Sequence, residues 1–252
     1  MTSHSALPHN LPLWQASLGW SPTAEQQQQF QQLYEALLAG NQQLNLTRIT
    51  TPTAFWEKHL WDSLSGIAPW LAPSDWANSD WANPVQQVID IGTGGGFPGL
   101  PIAIAQPHWQ LTLLDSTRKK IQFLQLLAAQ LGLEQTAFLA ERAERVGQDP
   151  QYRGRYDLAL VRAVGPASTC AEYALPLLAV GGTAVLFRGQ WTATDTPALA
   201  AAIAPLGGTL LEVKALTTPL THGPRHCLYL RKQTPSQPAY PRSVGIPAKH
   251  PL

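Results

Sequence analysis

Five glycines fall within eight residues, at Gly92, Gly94, Gly95, Gly96 and Gly99, with a carboxylate in the sequence on either side, Asp90 before them and Asp115 after. Without a Cβ, glycine backbone can approach a ligand closely, and a helix starting just beyond presents free N–H groups to it. The stretch therefore has the make-up of a loop that holds a nucleotide. A tight turn that binds nothing would explain the glycines but not the two flanking acids. Three further chemistry-bearing groups follow: Ser116-Thr117, Ala143-Glu144 and Arg162.

The glycine pattern fits two kinds of ligand. Gly94-x-Gly96-x-x-Gly99 satisfies the dinucleotide fingerprint, and Asp115 stands about 20 residues on, where an acid can bind a ribose hydroxyl. That reading implies an NAD(P)-dependent oxidoreductase. Read from Asp90, the same residues give D-x-G-x-G-x-G, which resembles the first motif of the S-adenosylmethionine-dependent methyltransferases. An acid inside the preceding strand suits a cofactor carrying an ammonium and a sulfonium, and is out of place beside a pyrophosphate. A phosphate-cradling P-loop needs Lys-Ser/Thr after its last glycine, and Leu100-Pro101 stands there instead.

These residues must be positioned by strands and helices. Val88-Ile89-Asp90-Ile91 reads as a buried parallel strand, and Pro98 and Pro101 suit the first turn of the helix after the glycines. Further strands are expected over 111–114, 138–139, 157–161, 183–187, 208–214 and 227–231. A helix opened by Arg118-Lys119-Lys120 turns Ile121, Leu124, Leu127 and Leu131 to the sheet, and another covers 175–178. Strands alternating with helices mean an α/β, Rossmann-like, doubly wound and mostly parallel sheet, in which ligands bind at the carboxyl ends of the strands. Gly92, Asp115, Ala143-Glu144 and Arg162 all fall there, so they should converge on one crevice.

Residues 85–232 form this domain, preceded by a helical region over 1–72 and a linker or insertion over 73–84. A basic, proline-rich tail follows over 233–252. Within the N-terminal region 1–20 is read as a loose lead-in. Ser21-Pro22 starts a helix with an apolar stripe at Phe30, Leu33, Tyr34 and Leu37, and Gly40-Asn41 ends it. A second helix runs from Thr53, with His59 and Asp62 three apart on one face and within reach of each other.

The chain has 252 residues, 44% of them hydrophobic, enough for a full core. No apolar run is long enough for a membrane span and no signal peptide is expected. Cys170 and Cys227 are read as buried free thiols, consistent with a reducing cytoplasm. No metal site is expected. Net charge is only +1, so any nucleic-acid surface must be a local basic patch.

Missing motifs narrow the chemistry. No tyrosine has a lysine four residues later, as a short-chain dehydrogenase would require. Adenine amino-methylation families carry Asn/Asp-Pro-Pro-Tyr/Phe at the end of the fourth strand, where this chain has Arg162-Ala163-Val164. Methylation at pyrimidine C5 needs a cysteine nucleophile in a Pro-Cys context, which neither cysteine has. Methyl transfer to an atom that is already nucleophilic survives, and guanine N7, with a lone pair and no proton, is such an atom. Arg162 can donate to a guanine edge, stack on a flipped base, or bond the methionine carboxylate of the cofactor.

Together these residues resemble the bacterial glucose-inhibited division protein B family. The resemblance spans Asn45-Leu46-Thr47, His59-x-x-Asp62-Ser63, Asp90 through Phe97-Pro98-Gly99, Leu114 through Lys120, Arg142-Ala143-Glu144, Arg162-Ala163, and the tail from Tyr240-Pro241-Arg242 to Pro251. Arg188-Gly189 stands where the family has Lys-Gly, and Arg and Lys both meet phosphate. The resemblance implies a methyltransferase that uses S-adenosylmethionine to modify N7 of a guanosine in the decoding-centre stem-loop of 16S ribosomal RNA. It implies cofactor contacts at Asp90, Gly92, Gly94 and Phe97, with Asp115, Ser116 and Thr117 at the ribose, Ala143-Glu144 near the adenine, and Arg162 at the methionine end. Arg162 would act by positioning, with no general base. The expected RNA surface is Arg48, Lys58, His59, Arg118, Lys119, Lys120, Arg188, Arg242 and Lys249. Expected partners are 16S rRNA within the small ribosomal subunit or its assembly precursor, bound by a cytoplasmic monomer with no membrane contact.

Overall fold

The computed structural model describes residues 6–72 and 84–252. The tryptophan-containing near-repeat at 75–78 and 80–83 lies outside them. Seven strands form one sheet in the order β3-β2-β1-β4-β5-β7-β6. They are β1 (Gln87–Ile91), β2 (Gln110–Asp115), β3 (Thr136–Ala140), β4 (Tyr156–Arg162), β5 (Leu178–Arg188), β6 (Gly208–Thr217) and β7 (Pro224–Lys232). The first five pair in parallel, and β7 runs antiparallel to both β5 and β6. Because β1 lies between β2 and β4, the strand order reverses beside it, and that reversal opens a crevice at the carboxyl ends.

Side chains alternate across the pleat and feed two cores. Val88, Leu111, Leu113, Leu158, Val185 and Tyr229 face the helices Ala24–Leu44, Gly99–Ala105 and Arg118–Gln130. Ile89, Ile91, Ala159, Val161, Leu186 and Leu228 face the helices Ala167–Ala174 and Thr196–Ile203. The N-terminal residues Trp14, Phe30, Leu33, Trp56 and Leu64 belong to the first core, so that region covers one face of the sheet.

Several local readings need correction. The supposed lead-in contains the helix Leu11–Leu18, which buries Trp14 and Leu18; eight residues are too few to display a period. The next helix is capped by Thr23, whose hydroxyl accepts from Gln26 N while the Gln26 side chain answers to Thr23 N. It runs through Gly40 to Leu44, and Asn45, at φ 49°, ends it. Gly40 serves packing rather than termination: a Cβ there would lie 2.3 Å from the Phe123 ring. The second helix is continuous over 52–65 but carries a π-helical turn at Trp56–Trp61, flanked by α segments. Over 175–178, where the sequence predicts a helix, a 3₁₀ turn, Leu175–Leu177, leads straight into β5. Cys170 and Cys227 are buried and free, as expected.

The tail after β7 is fastened to the domain. Arg153 donates to the carbonyls of Ser236, Gln237 and Tyr240, and Gln148 to those of Pro238 and Pro241.

Candidate active site

The glycine loop is built from its carboxylates outward. Asp90, in the middle of β1, is fully buried, and its Oδ2 accepts the Gly99 N–H at 2.8 Å. Burial pushes its carboxyl up to about 6, against the hydrogen bond from Gly99 and the charge of Arg162, while Asp115 raises it further. Asp90 thus pins the start of the helix Gly99–Ala105 from beneath. Its side chain has no exposed surface, so it reaches the loop through the Gly99 N–H. Asp115, at the end of β2, is held at the rim: Oδ2 accepts from Gly94 N at 3.0 Å and Oδ1 from Thr117 N at 2.8 Å.

Beside it lies a cavity of about 260 Å³ lined by Gly92, Asp115, Ser116, Glu144, Val164 and Ala248, among others. Gly92 adopts φ +72°, and a Cβ on it would meet Val164 Cγ2 at 2.6 Å. Glu144 is buried, and its Oε1 accepts from Gly245 N (2.9 Å), Arg142 Nη2 (3.1 Å) and the Tyr173 hydroxyl (3.3 Å). Burial pushes the Glu144 carboxyl up, but the bonds from Arg142 and Gly245 and the Arg142 charge outweigh it and hold it below the usual range. Its Oε2 is buried with no hydrogen-bond partner among the described residues. Burial pushes the Tyr173 hydroxyl up to about 12, with Glu144's charge adding to it.

A second cluster adjoins the glycine loop. Arg162, at the end of β4, donates to Asp62 Oδ2 (2.8 Å), the Lys58 carbonyl (2.9 Å) and His59 Nδ1 (3.3 Å). A guanidinium only donates, so His59 Nδ1 is the acceptor, and the proton on Nε2 goes to Thr47 Oγ1 at 2.7 Å. Burial, reinforced by Arg162, lowers the His59 imidazole to about 3, so it is neutral. Its ring stacks on Phe97 with centroids 4.0 Å apart and planes at 6°, and the Arg162 guanidinium lies 5.4 Å from the same ring. Asp62 Oδ1 accepts from Arg225 at 3.0 Å. His59 and Asp62 therefore share Arg162 rather than bonding each other. The π turn seats both on it.

The structure brings Gly92, Asp115, Ser116, Ala143 and Glu144 to the cavity, and Phe97 and Arg162 to the adjoining cluster. Among the expected RNA contacts, Arg48, Lys58, Arg118, Lys119 and Lys249 are exposed. His59 is buried, its ring nitrogens bonded to Arg162 and Thr47. Arg242 is half-buried and pairs bidentately with the buried Glu172. Arg188 is partly committed, donating to the Gly165 carbonyl at 2.6 Å. Sequence reasoning missed Arg225, Val164, Tyr173 and Ala248, whose positions depend on contacts across the fold and left no spacing to read.

The profile of the family described as rRNA small subunit methyltransferase G matches residues 26–226. The chain belongs to this family. A member from Nostoc punctiforme, named ribosomal RNA small subunit methyltransferase G, is 52% identical over 246 residues, covering 98% of each chain. One of the same name from Synechococcus elongatus is 53% identical over 252 residues, covering 100% of both. Among solved structures, a variant of the 16S rRNA (adenine(1408)-N(1))-methyltransferase of Catenulisporales acidiphilia superposes with a TM-score of 0.51. It is 17% identical, over 66% of this chain and 94% of that one, a likeness of fold alone. The family's methyltransferase fold thus has its switch-point crevice where the cavity opens. Among the described residues no helix is long and apolar enough to cross a membrane.

Proposed function

We propose that this chain transfers a methyl group from S-adenosylmethionine to N7 of a guanosine in small-subunit ribosomal RNA. The observation that carries the reading is the Asp115 carboxylate, fixed at the cavity rim by Gly94 and Thr117 and facing the buried Glu144 across about 260 Å³. The residues fit a nucleoside with a charged tail. Asp115 offers an acceptor for hydroxyls, Ser116 and Thr117 add polar groups, and Gly92 leaves backbone bare where a Cβ would fill space. Glu144, its Oε1 already bonded to Arg142, Gly245 and Tyr173, is a fixed part of the cavity wall.

When bound, S-adenosylmethionine supplies an electrophilic methyl on a sulfonium. The chain's own groups then have a simple task. Guanine N7 has a lone pair and no proton, so no side chain has to remove one, and His59, neutral and doubly bonded, is not placed to do so. Arg162 is anchored on three acceptors and is the positioning group at the acceptor side. Holding reactants in line can supply several kcal/mol without acid–base help. The exposed cations Arg48, Lys58, Arg118, Lys119 and Lys249 would meet phosphate. The substrate is 16S rRNA in the small subunit or its precursor, and the site of action is the cytoplasm.

The test is calorimetric titration with S-adenosylhomocysteine and, in parallel, NAD and NADP, followed by assay of N7-methylguanosine in small subunits lacking the modification. Binding of the first alone, weakened in Gly92→Ala, is expected. Binding of a nicotinamide nucleotide instead would overturn the reading.

A further inference from the structure

The tail does more than end the chain. Ala248 lines the same cavity as Gly92, Asp115 and Glu144, although it comes from beyond the last strand. Four contacts bring it there. Arg242 pairs with Glu172 through Nε at 2.9 Å and Nη2 at 2.7 Å, and its backbone N–H donates to the same carboxylate at 2.8 Å. Arg242 Nη2 also holds the His250 carbonyl at 2.8 Å, closing the segment into a loop. Gly245 N donates to Glu144 Oε1, and Thr169 Oγ1 donates to the Pro247 carbonyl at 2.9 Å.

Pro247 is buried, whereas Ser243, Val244, Ile246, Ala248 and Lys249 are exposed. Beyond the Arg242 anchor the segment is thus held by a few bonds, and few buried contacts mean a low cost of local opening. One of those bonds ends on Glu144, a wall residue of the cavity. Anything that binds only when this wall is in place stabilises the docked tail, and the docked tail strengthens binding by the same factor.

We infer that residues 242–250 are part of the cofactor site, forming the wall at its nucleoside end, with Arg242, Gly245 and Ala248 as positioning residues. Docking of the tail and binding of the nucleoside are one linked equilibrium. The inference rests on the cofactor reading given above.

The experiment uses the full chain, with S-adenosylhomocysteine as probe. Hydrogen exchange is followed by mass spectrometry in peptides covering 243–252, and binding is measured by calorimetry. Saturating probe should slow exchange at Gly245 and Ile246 severalfold. Ala248→Phe, at an exposed position, should leave the melting temperature of the free protein unchanged and weaken binding about tenfold. Thr169→Val, which cuts the Pro247 bond from behind the wall, should weaken binding and speed tail exchange together. Probe binding with no change in tail exchange, or with Ala248→Phe binding as well as the unaltered chain, would overturn this inference alone. Failure of the unaltered chain to bind the probe would overturn the cofactor reading and this inference with it.

Discussion

Asp62 and Arg162 stand 100 residues apart in the sequence and 2.8 Å apart in the fold. One comes from the helix over 52–65 and the other from the end of β4, and Asp62 takes Arg225 of β7 on its other oxygen. A single carboxylate thus ties the covering helices to two strands of the sheet.

Asp62→Asn should therefore cost about 1–3 kcal/mol of stability, since two largely sheltered guanidiniums lose their counter-charge. Methylation should fall by more than the stability loss explains, because Arg162 is no longer held in place. Urea unfolding and a methyl-transfer assay on the same preparation check this. Unchanged turnover would mean that the pair does not position anything.

Two glycines of the loop should respond differently to alanine. At Gly99 a Cβ would sit 2.1 Å from Leu113 Cδ2 and 2.8 Å from Asp90 Oδ2, so Gly99→Ala should destabilise by about 1–3 kcal/mol or more through overpacking. At Gly94 a Cβ meets nothing closer than 3.9 Å, and only its φ of +58° is strained, for a cost of about 1–2 kcal/mol. Denaturant midpoints of the two variants give the ranking, and the reverse order would contradict the packing described.

Asp90 and His59 make opposing contributions to pH dependence. Asp90 is raised to about 6, so the folded state holds a proton there that the unfolded state has released; this part of stability falls as pH rises from about 4 to 6. His59 is lowered to about 3, so the unfolded state takes up a proton that the folded state refuses; this part falls as pH drops from about 6.5 to 3. Between pH 4 and 6 the two cancel. Asp90→Asn should therefore lose stability on acidification more steeply than the unaltered chain, by up to about 1.4 kcal/mol per pH unit. Thermal melts across that range, compared between the two proteins, should diverge toward low pH; parallel curves would rule this out.

Exposed and committed cations should separate in RNA binding. Lys119→Ala and Lys58→Ala should each lower the salt slope of binding by about one, because each removes one phosphate contact. Arg242→Ala should instead leave the buried Glu172 unpaired and cost about 3–5 kcal/mol of stability. Affinity measured across a salt series, alongside unfolding, distinguishes the two behaviours.

Much of this was legible in the sequence because it is local. The glycine loop, the strand-end acids and the alternation of elements are set by neighbours within a few residues. The Arg162 cluster was half visible: His59 and Asp62 stand out on one helix, but the partner that joins them lies 100 residues away. Gly40 shows the opposite failure, since its sequence context says helix stop while Phe123, from a helix that pairs with it only in the fold, explains the missing side chain. Arg242 looked like a free cation because Glu172 is 70 residues off.

The shared core has a consequence for synthesis. Trp14, Phe30, Leu33 and Trp56 share one core with Val88, Leu113, Val185 and Tyr229, and Tyr229 belongs to β7, which follows all the other strands in the sequence. That core is therefore complete only once β7 has been made. Until then part of its apolar surface is open to non-specific association.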